Sequence, residues 1–295
     1  MTKDTRDALV AYNGAMILFS IMFAAGKILT QHMSVIEVVF YRNFLSFLPI
    51  LLVITWQRNW LVFRVQQPRL LLLRCFLGTV GMGFTFAAYS LLPMATATTI
   101  LFTATLWLIP FSILFLGEKL QRPRLVAAII GFVGVLVVAR PDQGGAMIGV
   151  GIALIASLFH AMISIILRRL GRTEGPMTIA MSFLGLGALF SGAVMPFVQT
   201  GAQISDIPLL LALGVCGAVG QYLLGFAYQK TEAQTLGPFN YLNLVWASIL
   251  GYFFWGDIMD LPAWIGASLI VACNVYIVMN ERRRTPATPI DRTVS

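Results

Sequence analysis

The chain has 295 residues, 58% hydrophobic and 11% charged, with 20 Lys and Arg against 12 Asp and Glu, and a mean hydropathy of +0.84. A soluble domain carries about 25% charged residues, so so much apolar surface excludes water as the solvent and requires a bilayer. The net charge of +8 lies in short loops between apolar runs, which fits membrane topology and not a nucleic-acid surface.

A spanning helix needs about 20 mostly apolar residues. In chain order the qualifying segments are 8–29, 34–56, 70–91, 94–116, 123–139, 146–167, 176–198, 207–228, 233–255 and 261–280. They predict an all-α integral membrane protein of ten transmembrane helices. Two five-helix halves, 1–140 and 146–280, meet at Arg140-Pro141-Asp142-Gln143-Gly144-Gly145. The polar tail 281–295 contains two prolines and is expected to be disordered. The first apolar run is as long as a full span, so no signal peptide is expected. Cys75, Cys216 and Cys273 lie inside apolar runs and read as packing residues, not disulfides.

With the N-terminus in the cytoplasm, sixteen basic residues fall in inner loops or tails and only Arg140 in an outer loop. Lys27, Arg42 and Arg74 remain in or near helices. That bias predicts a cell-membrane protein with both termini cytoplasmic.

The halves also resemble each other. At a constant offset of 139, Ala88, Tyr89, Thr96, Trp107, Gly117, Glu118 and Pro123 match Ala227, Tyr228, Thr235, Trp246, Gly256, Asp257 and Pro262. Each half holds an odd number of predicted spans, so the second copy is expected to sit inverted. Inverted repeats are a transporter architecture.

Phe86-Ala87-Ala88-Tyr89-Ser90-Leu91-Leu92-Pro93-Met94-Ala95-Thr96-Ala97 enters the fourth segment. Leu116-Gly117-Glu118-Lys119-Leu120 ends it, and Gly131-Phe132-Val133-Gly134-Val135 lies in the fifth. With the five-plus-five repeat, these residues make the chain resemble the EamA type of the drug/metabolite transporter superfamily. The resemblance implies alternating-access transport of amino acids or other small metabolites. It also implies a central cavity lined by helices 1, 3, 4, 6, 8 and 9, with helices 5 and 10 peripheral.

Thr96, Thr99, Thr103 and Trp107 share one face of the fourth segment. They read as a cavity wall or as threonines bonded to their own helix carbonyls. Pro110 is expected to kink that helix. Asn240 and Asn243 share a face of the ninth segment beside Gly237-Pro238, where local unwinding is expected. A carboxamide facing lipid is costly, so both should face protein or a wet cavity. Gln221, Tyr222 and Tyr89 are further polar handles, Tyr89 alternatively an interfacial anchor. His160 in the sixth segment reads as a substrate or proton ligand, or as a neutral interhelical partner. Lys27, Glu37 and Arg42 are expected to cluster near the outer ends of the first two helices. There Lys27 or Arg42 would pair with Glu37, or Lys27 would snorkel outward; alternatively the group would form an outer gate or a site for a substrate carboxylate. Glu118 and Asp257 read as structural turn residues. Gly78, Gly81 and Gly83, and Gly214, Gly217 and Gly220, predict close helix packing.

These features point to a secondary transporter of small polar or zwitterionic metabolites, with amino-acid export the leading expectation. Import of a vitamin or a sulfonium nucleoside is the nearest alternative, and a lipid-carrier flippase another. No phosphate-binding Gly-x-x-x-x-Gly-Lys-[Ser/Thr] motif occurs. The second histidine, His32, falls in an outer loop, so no metal site is expected; neither is a cofactor. The acidic clusters and paired histidines that membrane-embedded transferases use are also missing, so an enzyme is not expected. Oligomeric state is left open.

Overall fold

The computed structural model describes residues 3–58, 60–116, 122–139, 146–230 and 236–282. The Gly117-Glu118 turn, the linker at 140–145 and residues 283–295 of the tail lie outside them. The described residues form helices α1 Lys3–Leu29, α2 Val35–Trp56, α3 Pro68–Leu91, α4 Met94–Leu101, α5 Ala104–Leu116, α6 Arg122–Ala139, α7 Ala146–Leu170, α8 Pro176–Val194, α9 Ile207–Lys230, α10 Leu242–Trp255 and α11 Leu261–Arg282. Short 3-10 segments complete the list, and there is no strand among the described residues.

Sequence chemistry explains the helix boundaries. Pro68 and Pro176 open α3 and α8, where the missing N–H costs nothing. Gly256 closes α10 with φ +68°, the left-handed cap that glycine adopts freely. Glu174 in the α7–α8 loop is buried and accepts the backbone N–H groups of Gln66 and Gln67 at 2.7 and 2.6 Å. It thereby ties that loop to the start of α3.

Seven helical stretches are long and apolar enough to cross a membrane: Asp4–Leu29, Val35–Trp56, Pro68–Leu91, Met94–Phe111, Met147–Leu170, Pro176–Phe197 and Ile204–Tyr228. Ile129–Val138 and Leu261–Cys273 are shorter apolar stretches. The ninth segment is divided, because residues 237–241 form a 3-10 turn before α10. The described residues are thus all-helical and polytopic, with seven full-length apolar stretches among them. Leu52, Trp56, Leu114, Ile148, Phe197 and Phe253 are exposed. Water would not tolerate that belt; lipid does.

The main helix pairs are α1 with α9, α3 with α7, α2 with α8 and α6 with α11; α5 packs on α7 and α10 on α1. Glycines set the closest approaches. A Cβ on Gly134 of α6 would strike the carbonyl oxygen of Gly266 in α11, and a Cβ on Gly266 would strike that of Gly134. The helices touch backbone to backbone. Gly78 and Gly81 pack on Phe183 and Phe159, and Gly214, Gly217 and Gly220 on Leu45, Ser46 and Phe19, as the sequence predicts. Gly83 instead faces open space.

Candidate functional site

The fourth segment is interrupted at Phe102-Thr103, not at Pro110. Thr103 N–H bonds Ile100 O at 3.0 Å and Thr105 N–H bonds Phe102 O at 3.2 Å, so the helix tightens to i→i+3 bonding there. α5 then runs through Pro110, which is exposed. The cause is local. The β-branched run Thr98-Thr99-Ile100 weakens helix propensity. The Thr103 hydroxyl sits 2.7 Å from Ile100 O and competes with the backbone ladder.

In the other half, the expected unwinding at Gly237-Pro238 is present as the 3-10 turn Gly237–Tyr241. The two interruptions fall at matching places. Phe102 and Tyr241 are 139 positions apart, and their rings meet edge to face at 5.2 Å.

Two indoles flank this point. Trp107 of α5 donates its N–H to Ser157 Oγ of α7 at 3.1 Å. Trp246 of α10 donates to Asn13 Oδ1 of α1 at 3.2 Å. Each tryptophan reaches the first helix of the other half. Hydroxyls reinforce both seams: Thr103 Oγ1 lies 2.9 Å from Ser157 Oγ, and Ser20 donates to Asn243 Oδ1 at 2.7 Å.

The remaining candidates separate. Tyr89 is buried, bonds Thr98 at 3.0 Å and stacks on Phe23 at 4.8 Å. Thr98 donates its hydroxyl to Met94 O, so the Tyr89 hydroxyl is the donor between the two rather than a free handle. Thr99 is buried and bonds Ala95 O, while Thr96 is half-buried. The break at Phe102-Thr103 divides the continuous face expected for Thr96 through Trp107. His160 is half-buried, with Nε2 3.2 Å from Thr85 Oγ1 of α3. Gln221 is half-buried, whereas Tyr222 and Asn240 are exposed. Asn240 and Asn243 therefore sit in different environments. The backbone at Pro238 lies in the 3-10 turn.

The charged residues depart from expectation. Glu37 pairs with neither Lys27 nor Arg42. Its carboxylate accepts Thr200 N–H and Oγ1–H, both at 3.0 Å, and Gly201 N–H at 3.3 Å, anchoring the loop before α9. Lys27 is buried and donates to Leu92 O at 2.7 Å. Its Nζ lies 3.9 Å from Asp257 and 4.8 Å above the Trp255 ring. Asp257 also accepts Met94 N–H at 3.3 Å. Asp257 thus joins α1, α4 and the end of α10, a contact that no local pattern announces. Arg42 turns away from Glu37 and bonds Asn43. Residues 37 and 42 are five apart, a spacing that does not place side chains over one another on a helix.

The sequence reading also missed Ser157, Ser20, Asn13 and Thr85. The available signal was a lone hydroxyl or amide in an apolar helix, which must find a partner inside the protein. Among the described residues, no group of three or more His, Cys, Asp and Glu could hold a metal ion.

A polytopic helical bundle with interrupted helices and polar seams between its halves has the architecture of a membrane carrier. The EamA-like transporter family matches residues 8–140 and again residues 147–279; the chain belongs to this family and is a transporter, not an enzyme. It is similar to an S-adenosylmethionine uptake transporter of Rickettsia bellii, 26% identical over 94% of this chain and 97% of the relative. It is also similar to a riboflavin transporter of Rhizobium johnstonii, 30% identical over 75% of this chain and 74% of the relative. A pseudopaline exporter of Pseudomonas aeruginosa is 27% identical over 91% of this chain and 94% of the relative.

Proposed function

We propose that the chain is a secondary transporter of small polar or zwitterionic metabolites. In this reading it works by alternating access between two inverted five-helix repeats, 1–140 and 146–280. It lies in the inner membrane with both termini and the tail 281–295 in the cytoplasm. The observation that carries this reading is the reciprocal crossing of Trp107 to Ser157 and Trp246 to Asn13 around the Phe102–Tyr241 contact. Matching interruptions in two antiparallel copies provide polar backbone near a central site, a recurring carrier design. The twofold family match supports the repeat. So do the helix pairs: exchanging the halves turns α1 with α9 into α7 with α3. The basic-residue bias supports the orientation.

The substrate site is assigned to the seams holding Thr103, Trp107 and Asn243, with His160, Thr96 and Gln221 as further half-buried candidates. Hydroxyl, amide and indole groups suit amino acids, and the relative named as a pseudopaline exporter supports the outward direction. A second reading, import of a larger metabolite, is comparably supported by the relatives named for S-adenosylmethionine uptake and riboflavin transport.

Counterflow in proteoliposomes tests both. Vesicles are loaded with unlabelled amino acids, riboflavin or S-adenosylmethionine and given the matching labelled solute outside. Accumulation of an amino acid supports the first reading; accumulation of riboflavin or S-adenosylmethionine alone replaces it with the second. If none of these moves, with or without an imposed proton gradient, both substrate assignments fall.

A further inference from the structure

Away from the seams, α2, α3 and α8 enclose two arginines. Arg42 is 1% exposed and Asn43 is 0% exposed. The guanidinium carbons of Arg42 and Arg74 lie 5.4 and 4.1 Å from the centre of the Phe183 ring. Arg42 Nη1 donates to Asn43 Oδ1 at 2.8 Å. Four other donor atoms are buried without an acceptor: Arg42 Nε, Asn43 Nδ2, and Arg74 Nε and Nη1. Among the described residues, no carboxylate lies within ion-pair distance of either arginine. The nearest acid along the chain, Glu37, is committed to Thr200 and Gly201.

Arginine keeps its charge inside proteins. Two like charges around one ring therefore repel in a medium of low dielectric, and each buried unpaired donor carries a desolvation cost. Cation–π contact with Phe183 offsets only part of this. An oxyanion resolves both problems, because it neutralises charge and accepts several N–H groups at once. A cavity also lies next to the cluster, which stands behind its lining. The cavity, of about 460 Å³, opens between α2, α3 and α8, with Thr79, Gly83 and Ser191 in its lining. Gly187 packs between the cluster and the cavity wall: a Cβ there would lie 2.8 Å from Asn43 Nδ2 and 3.1 Å from Thr79 Oγ1, so only the backbone of α8 separates the two.

We propose that Arg42, Asn43 and Arg74 form an oxyanion-binding site that takes a carboxylate or a phosphate, with the apolar walls of the α2–α3–α8 cavity holding the rest of the ligand. The site is independent of which solute the seams carry. The anion has two sources, the carboxylate of a soluble metabolite or the phosphate of a membrane lipid.

The test is thermal unfolding of the full chain in an uncharged detergent, with two matched pairs of probes. Phosphatidylglycerol is compared with diacylglycerol, and N-acetylleucine with N-acetylleucine amide. The expected result is a saturable rise in Tm with at least one anion and none with its neutral partner. Response to phosphatidylglycerol identifies a lipid phosphate; response to N-acetylleucine identifies a solute carboxylate. Arg42→Gln and Arg74→Gln should each weaken the effective anion about tenfold or more. Arg74→Lys, which keeps the charge and loses the fork, should weaken it less. Equal Tm values for anion and neutral partner in both pairs overturn the site, and so does an anion response unchanged in both Gln variants. If neither Gln variant folds, the wild-type comparison and Arg74→Lys decide.

Discussion

Phe102 and Tyr241 touch ring to ring at 5.2 Å, although 139 residues separate them. That separation is the offset at which the two halves align, so each half supplies the same position to one shared contact. Both residues also sit where their helices lose regular α bonding. Contact between equivalent positions is what an approximate twofold relation produces on its own axis.

Trp107→Ala and Asn243→Leu should each reduce transport at least about tenfold in counterflow, with membrane expression unchanged. The seam assignment requires both losses. Full activity in both variants at equal expression removes the proposed substrate site.

Ser157→Ala deletes the acceptor used by Trp107 and Thr103. Interhelical hydrogen bonds in membranes are worth about 0.6 kcal/mol each, so a loss of about 1 kcal/mol is expected in unfolding from mixed micelles. Combining Ser157→Ala with Trp107→Phe should cost less than the sum, because both changes remove the same bond.

Lys27→Met leaves Asp257 without its cation, and Asp257→Asn leaves Lys27 without its anion. Asp257 is partly exposed and 3.9 Å away, so each single change should cost only about 1–2 kcal/mol. The double variant should lie closer to wild type than the sum of the singles, a coupling that a double-mutant cycle reads directly.

Glu37→Ala should release the loop before α9. Amide exchange at Thr200 and Gly201 should accelerate, since their N–H groups lose the carboxylate. Exchange in α5 should not change. Unchanged protection at 200–201 would mean that the loop is held by other contacts.

Gly134→Ala and Gly266→Ala should each destabilise the protein by about 1–3 kcal/mol through overpacking. Gly83→Ala meets nothing within 4 Å and should be near neutral. Unfolding midpoints of the three variants side by side check this contrast.

Most helix positions were legible in the sequence because apolar runs of membrane length and opening prolines leave little choice. The turn at Gly237-Pro238 was legible for the same reason, since those residue types punctuate backbone. The interruption at Phe102-Thr103 was not, because it arises from hydroxyl competition with the ladder while a nearby proline drew attention to the wrong turn. Pairings across the bundle were the least visible. Lys27 finds Asp257 through tertiary placement alone, whereas its neighbour in sequence, Glu37, turns to a loop. Ser157 carried no motif, only the general rule that a buried hydroxyl needs company.

The contact of Gly134 with Gly266 locks α6 against α11 at the level of the backbone. Side chains can slide past one another by changing rotamer, but two backbones in direct contact have no such freedom. In the proposed transport cycle the α6–α11 edge would therefore serve as a hinge pin. Under the proposed alternating access, a rocking of one half on the other would turn about that edge and open farthest from it.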